Sequence, residues 1–414
     1  MLESPPRESE AVSWTYVAAG VLVIYCTIPL ARAFREAVSE QLGREMFLYV
    51  TLAIVSSVAI AAVVSLSQRK LPFNAYLCLL AIFVAFMAFV YDLRDIPEEA
   101  VHVVEYGGLG LLVYRALAHR VRDYTIYILG SLVVGMIGVL DEYIQWVVPS
   151  RYYELRDIGI NFCAGALSQV AIFAGLRPGL ITGLAGPGSW SRVCYVSAAL
   201  LLLMSISFLN SPASITWYAT RIPSLEFLMS NHSTMAEYGY RYEDRDTGVF
   251  RSRLDPEQLQ RLNSERGEAA WKIMERYQRG EVSEPFLSVY SVMRDPYIHE
   301  IGVHVYRRNY HLDRARENSD KQTEHYTIAY RENQILRKYF TKASQYPTVR
   351  WSSETVAEVS SAADKFQPYE SAVSASVITR VSQVQVMLLF AGSFILLVLL
   401  GAKLARIPQK KTAQ

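Results

Sequence analysis

Residues 138–165, GVLDEYIQWVVPSRYYELRDIGINFCAG, join two apolar segments through a short polar loop. Seven polar side chains stand around this loop: Asp141, Glu142, Gln145, Arg151, Arg156, Asp157 and Asn161. Charged groups are costly in hydrocarbon, so those kept beside an apolar segment are functional candidates by default. Because both flanking segments bring such groups to the same loop, a shared site is the first hypothesis.

The composition favours a membrane protein. Of 414 residues, 51% are hydrophobic and only 19% are charged, whereas soluble domains are about 25% charged. The formal net charge of +2 gives no support for a nucleic-acid partner. Cys26, Cys78, Cys163 and Cys194 lie in or beside apolar runs without CxxC spacing, which favours buried thiols over disulfides or metal ligands. No cofactor is predicted.

Long apolar runs predict a bundle of about eight transmembrane helices. They cover residues 14–30, 46–66, 73–91, 100–117, 124–147, 158–176, 193–209 and 384–404. We divide this part of the chain into N-terminal helices within residues 14–72, a central domain at 73–176, and two further helices at 193–209 and 384–404. Residues 1–13 are polar and predicted to be disordered, and residues 405–414 form a basic tail.

Residues 210–383 differ in character from the rest of the chain. They are rich in Arg, Glu and Tyr, contain no apolar run long enough to span a membrane, and have the size of a common domain. Asp255 followed by proline begins a helical pattern over 255–278. Further helices are predicted at 324–340 and 352–363, and the alternation in 298–307 predicts a strand. The predicted fold class is therefore a helical membrane bundle with an inserted mixed α+β extracytoplasmic domain.

The distribution of Lys and Arg predicts which side of the membrane each loop faces. Arg120, Arg122 and the basic tail favour cytoplasmic termini, with the large domain outside the inner (cytoplasmic) membrane. Arg32, Arg35 and Arg44 in the first outer loop count against this orientation; an interfacial amphipathic helix would accommodate them. In this orientation the unusual polar groups of three segments all lie at the outer face.

Helical spacing predicts that these groups form one site. Residues three or four apart share a helix face, which groups Glu98, His102 and Glu105, then Gly138, Asp141 and Gln145, then Asp157, Asn161 and Gly165. The candidate catalytic or proton-transfer residues are His102, Glu105, Asp141, Glu142 and Asp157. The candidate substrate-binding residues are Gln145, Arg151, Arg156 and Asn161. No metal is assigned.

Two other interpretations of the same residues stay open. Arg156–Asp141 or Arg151–Glu142 pairs would neutralise buried charge and serve assembly alone. A metal site from His102, Glu105 and Asp141 is possible by ligand type. The third interpretation is an anionic substrate held by the two arginines, with His102 or an acid as its proton-transfer partner.

The stretches HVVEYGGLGLLVYRAL (102–117), GVLDEYIQWVVPSR (138–151) and RDIGINFCAGAL (156–167) resemble the VanZ-like family of bacterial membrane proteins. The resemblance covers roughly residues 73–176 and rests on twelve positions: His102, Glu105, Tyr106, Asp141, Glu142, Gln145, Pro149, Arg151, Arg156, Asp157, Asn161 and Gly165. It implies an integral protein of the bacterial cell envelope and a link to glycopeptide (teicoplanin) resistance. It implies no reaction, because the family's biochemical activity is not established. The extra N-terminal spans and the large outer domain depart from a minimal family member.

Two functions are therefore predicted. The first is a binding or accessory protein of the envelope, whose partners are membrane lipids, a lipid-linked envelope precursor, or a protein contacted by the outer domain. The alternative is a membrane enzyme acting on a lipid-linked or phosphate-bearing substrate. The sequence has no nucleophile elbow, phosphate loop or HExxH motif. Intramembrane acids also suit proton-coupled transport, but no internal repeat supports it.

Overall fold

The computed structural model describes residues 8–69, 72–149, 151–181, 183–231, 233–317, 321–342, 346 and 349–408. The chain divides into two compact units. The first combines residues 1–206 with 388–414, and the second is residues 207–387. We call them the membrane unit and the polar unit.

The membrane unit is a bundle of long helices. They are α1 (Glu10–Thr27), α2 (Ala31–Leu42), α3 (Glu45–Arg69), α4 (Phe73–Asp92), α5 (Ala100–Leu117), α6 (Thr125–Trp146), α7 (Leu155–Val170), α8 (Pro187–Leu209) and, near the C-terminus, α15 (Gln383–Ala405). Among the described residues, seven helical stretches are long and apolar enough to cross a membrane. They are Glu10–Leu42, Met46–Gln68, Phe73–Asp95, Thr125–Trp146, Leu155–Leu176, Pro187–Leu209 and Gln383–Ala405. The chain is thus a helical, multi-pass membrane protein.

Helix α5 has the predicted bounds 100–117 but is not among those seven stretches. His102, Glu105 and Arg115 lower its hydropathy. It packs against α1, α3, α6 and α7, and its Val103, Tyr106 and Val113 are almost fully buried. A helix enclosed by other helices faces protein rather than lipid, so it does not need an apolar surface all round.

Contacts between helix ends show that α5 runs the full length of the bundle. At one end, which we call the polar end, Glu99 pairs with Arg156 and the carboxylate of Glu142 accepts the backbone N–H of Glu154. At the other end, Arg115 and Arg120 pair with Glu8 and Glu10 at the start of α1. The start of α5 therefore lies with the end of α6 and the start of α7, and its last turn lies at the opposite end.

Two predictions about the ends of the chain need correction or stay open. Helix α1 begins at Glu10, with Ser9 as its N-cap, so the predicted disorder of residues 1–13 is wrong from residue 10 onward. Residues 1–7 and 409–414 lie outside the described residues. Residues 31–42 form a helix, as the interfacial-helix hypothesis requires, and none of their side chains is buried.

The polar unit is mainly helical. Its helices are α9 (Pro212–Ala219), α10 (Pro256–Gln278), α11 (Phe286–Val289), α12 (Pro296–Arg316), α13 (Gln322–Tyr339) and α14 (Ser353–Ala362). Its strands β1 (Tyr240–Asp244) and β2 (Gly248–Ser252) form an antiparallel hairpin in which Tyr242 pairs with Phe250. The helices predicted at 255–278, 324–340 and 352–363 are confirmed, and α10 begins with the Asp255–Gln258 capping box.

The strand predicted at residues 298–307 is wrong, because these residues lie inside α12. Asp295 caps this helix and Pro296 occupies its first turn, a combination that starts helices. Tyr297, Ile301 and Val305 are all buried in the unit's main core. That spacing of four belongs to a helix face, although the β-branched residues of the segment also alternate as in a strand.

A buried polar network ties α12 and α13 to the segment after α14. Glu332 of α13 is fully buried and accepts hydrogen bonds from His304 Nδ1 at 2.5 Å, from the Tyr369 hydroxyl at 2.5 Å and from Ser371 Oγ at 2.6 Å. The Nε of Arg307 lies 3.4 Å from the same carboxylate. Burial alone would raise the pKa of Glu332, but His304 and these donors hold it below its usual range.

Candidate functional site

The polar end of the bundle gathers the predicted site residues of three helices. His102 and Glu105 lie on α5, with the His102 Nδ1 3.8 Å from a Glu105 carboxylate oxygen. Asp141 on α6 is 1% exposed and interacts electrostatically with both. The predicted face made by these two helices is therefore present. Glu98 is not part of it, because it pairs with Arg44 at 3.0 Å.

Gln145 links the acids of α6 to the polar loop. Its Nε2 donates to Glu142 Oε1 at 2.7 Å and to Asp141 Oδ2 at 3.4 Å, and its Oε1 accepts from Arg151. Glu142 is fully buried, and its second oxygen accepts the backbone N–H of Glu154 at 2.8 Å. These bonds fix the loop over the end of α6.

Neither of the two Arg–acid pairs that were considered as purely structural is found among the described residues. Arg156 pairs with Glu99, its Nη1 donating to Oε1 at 3.1 Å and its Nη2 lying 3.1 Å from Oε2. Arg151 donates to Gln145 instead of Glu142. Both arginines predicted to bind an anionic substrate are thus already engaged by side chains of the protein.

Two acids that the sequence interpretation missed complete this end of the bundle. Ligand oxygens of Glu99, Glu154 and Asp157 all lie within 4.8 Å of one another, a spacing that could hold a metal ion. Burial, together with the nearby Asp157, raises the pKa of Glu99 to about 7. Burial also raises the pKa of Glu154. Like charges brought this close oppose joint ionisation, so the group favours a proton or a cation.

Several buried polar atoms at the polar end have no hydrogen-bond partner in the part of the chain that the structure describes. They are His102 Nδ1, Asp141 Oδ1, Asp157 Oδ1, and both Oδ1 and Nδ2 of Asn161, while the Tyr106 hydroxyl faces Asp141. Asn161 is fully buried. Native proteins satisfy nearly all such groups, so each one calls for an explanation. Because these atoms converge on one end of three helices, this end of the bundle is the candidate site for a polar ligand.

Glycines allow the three helices to approach closely enough to share this site. A Cβ on Gly138 would lie 2.8 Å from the Cβ of Asn161, and one on Gly165 would lie 2.5 Å from a methyl of Val134. Across the crossing of α5 and α7, Ser168 Oγ donates to the carbonyl of Gly107 at 2.8 Å. Small residues at membrane helix crossings permit such backbone contacts.

Comparison with known proteins shows no relative of this chain. No family model matches the chain. No curated protein and no solved structure matches it either. The case for a function therefore rests on the site itself.

Proposed function

We propose that the protein is an integral binding or accessory protein of the bacterial cell envelope, whose polar end holds the polar headgroup of a lipid or lipid-linked molecule. The observation that carries this proposal is the set of unpartnered buried atoms on α5, α6 and α7. The set mixes donors and acceptors, since the Asn161 amide nitrogen can donate and the two aspartate oxygens accept. A headgroup with hydroxyl or amino groups would satisfy it.

The charge balance favours such a headgroup over a bare phosphate. Six carboxyl groups lie at the polar end: Glu99, Glu105, Asp141, Glu142, Glu154 and Asp157. They face Arg151 and Arg156, and both of these are already bonded within the protein. A phosphate would have to displace one of these contacts, whereas a hydroxyl or ammonium donor could meet the free acceptors directly.

The proposed orientation places the polar end at the outer face of the inner membrane. The last turns of α8 within the membrane unit lie at this end, because the Tyr143 hydroxyl donates to the carbonyl of Leu203. Helix α8 therefore ends at the polar end, where the chain leaves the membrane unit. With cytoplasmic termini, that end and the polar unit would both be extracytoplasmic.

A second candidate is a membrane enzyme acting on a lipid-linked or phosphate-bearing substrate. The carboxylates of Glu99, Glu154 and Asp157 favour it, since a divalent cation held there would bring a phosphate to the polar end. Turnover of a polyprenyl phosphate by the purified protein, dependent on a divalent cation, would distinguish this enzyme from a binding protein.

The binding proposal predicts that the purified protein retains a specific lipid. Protein extracted in mild detergent should carry one class of polar-headed molecule well above its share of the bulk membrane, measured by mass spectrometry of the extract. Asn161→Leu removes two unpartnered atoms at similar volume, so retention should fall roughly tenfold through the lost ligand hydrogen bonds. Thermal stability should be unchanged or higher, because no bond within the protein is lost.

The matched control is Cys163→Leu, an exposed position on the same helix, which should leave retention unchanged. An extract whose lipids match the bulk membrane would contradict the proposal. So would an Asn161→Leu protein that fails to accumulate, because the amide would then be needed for folding alone.

A further inference from the structure

The polar unit contains a cavity lined by positive charge and aromatic rings. The cavity has a volume of about 480 Å³, within the range typical of small-molecule sites. It lies among α10, α12, α13 and the start of α14. Three arginines line it, Arg308, Arg337 and Arg350, and no acid does so among the described residues.

Arg308 is a buried cation that has no acidic partner among the described residues. It is 4% exposed, and its guanidinium donates to Asn309 Oδ1 at 3.0 Å, Asn333 Oδ1 at 3.2 Å and the carbonyl of Val349 at 3.0 Å. Its charged carbon lies 4.9 Å from the centre of the Trp351 ring. All these partners are neutral, and a buried charge without an opposite charge is costly.

Burial lowers the pKa of Arg308 to about 10, still well above physiological pH. The cavity therefore holds a permanent positive charge. Arg337 and Arg350 are exposed at its rim, and neither forms an ion pair with any residue that the structure describes. Among the described residues, none pairs an opposite charge with these three arginines, so an anionic ligand would be the first to do so.

Two further residues that can donate hydrogen bonds line the same cavity. Trp271 is 1% exposed, and its Nε1 has no hydrogen-bond partner among the described residues. An indole N–H can only donate, so it calls for an acceptor atom. Ser353, the first residue of α14, also lines the cavity, and its hydroxyl can donate to a bound acceptor atom.

We propose that this cavity binds a phosphorylated organic molecule. The three arginines suit a doubly charged phosphate better than a single carboxylate. The rings of Trp271 and Trp351, with Leu336 and Val356, form walls that suit the ring or carbon portion of such a molecule. The phosphate can come from a soluble metabolite or from a lipid headgroup, which share this chemistry.

The test uses the full chain in detergent and titrates three probes by calorimetry: inorganic phosphate, glucose 6-phosphate and dihexanoyl phosphatidic acid. We expect saturable binding, with an organic phosphate binding more tightly than inorganic phosphate. Tighter binding of glucose 6-phosphate identifies a soluble ligand, and tighter binding of phosphatidic acid identifies a lipid headgroup. No saturable binding of any probe at millimolar concentration would overturn the proposal.

Two variants separate a ligand role from a structural one. Arg350→Gln removes a rim charge and should weaken binding about tenfold, while Arg261→Gln, an exposed arginine outside the cavity, should not. Trp271→Phe keeps a ring but removes the unpartnered N–H, so it should weaken binding about tenfold. Because Trp271 is also a core residue, its binding is measured well below the unfolding temperature of the variant itself. Binding unchanged in both Arg350→Gln and Trp271→Phe would contradict the assigned site.

Discussion

Replacing Glu332 by alanine should unfold the polar unit at a much lower temperature than in the native protein. The carboxylate accepts hydrogen bonds from His304, Tyr369 and Ser371 and lies beside Arg307. His304, Tyr369 and Ser371 would lose a fully buried acceptor, and Arg307 would lose the opposite charge beside it. Breaking a buried charged network by removing one partner costs about 3–5 kcal/mol.

For a unit of this size, that loss lowers the unfolding midpoint by roughly 10 °C. The shift can be followed in the full chain by intrinsic fluorescence, since Trp271 lies in the core of the polar unit. The control is Glu268→Ala, which removes an exposed pair with Lys272 and should leave the midpoint nearly unchanged. A Glu332→Ala midpoint equal to that of Glu268→Ala would show that the network does not stabilise the unit.

Replacing Gly165 by valine should separate α7 from α6 and abolish the site at the polar end. The Cβ of the new side chain alone would lie 2.5 Å from a methyl group of Val134. Val134 is fully buried and cannot move into solvent. Overpacking of this kind costs about 1–3 kcal/mol. Because Asn161 is one helical turn away on α7, the shift would also displace its amide from the polar end.

We expect Gly165→Val to reduce the amount of folded protein in detergent and to lose the retained lipid. Size-exclusion chromatography and mass spectrometry of the extract measure the two effects. Gly159→Ala is the matched control on the same helix, because a Cβ there meets nothing within 4 Å. Equal behaviour of the two variants would contradict the close crossing of α6 and α7.

Local signals in the sequence predict much of the helical structure. Asp255 and Pro256 give a start signal that depends only on neighbouring residues, and Asp255 caps the helix as predicted. The segment 298–307 shows the limit of such signals, since its alternation of β-branched residues competes with a helical period. Ile301 and Val305 are both buried in the core, and a helix brings both to the same face. Burial depends on tertiary contacts, so a short window of sequence does not reveal it.

The candidate site shows the same limit on a larger scale. Helical spacing correctly groups Asp141 with Gln145, because one helix carries both. It does not identify the partner of Arg156: the Arg156–Asp141 pair was one open alternative, and Glu99 faces that arginine instead. A tight turn at Pro97–Glu99 precedes α5, and it sets which of the adjacent glutamates points inward. The cavity around Arg308 was not predicted at all, because its walls come from segments far apart in the sequence.

We propose that the chain crosses the membrane eight times, with α5 as one of the crossings and with the polar end and the polar unit on the outer side. Four single-cysteine variants test it in a background in which Cys26, Cys78, Cys163 and Cys194 are replaced by alanine. The reporters are exposed residues: Asp95→Cys before α5, Tyr152→Cys in the polar loop, Ser264→Cys in the polar unit and Ile407→Cys after α15.

The measurement is labelling of intact cells by a membrane-impermeant thiol reagent, repeated after the cells are permeabilised. We expect the cysteines at 95, 152 and 264 to react in intact cells, and the one at 407 to react only after permeabilisation. Labelling at 95 and 152 from opposite sides would mean that α5 does not cross the membrane. Labelling at 407 but not at 264 in intact cells would contradict the outer placement of the polar unit.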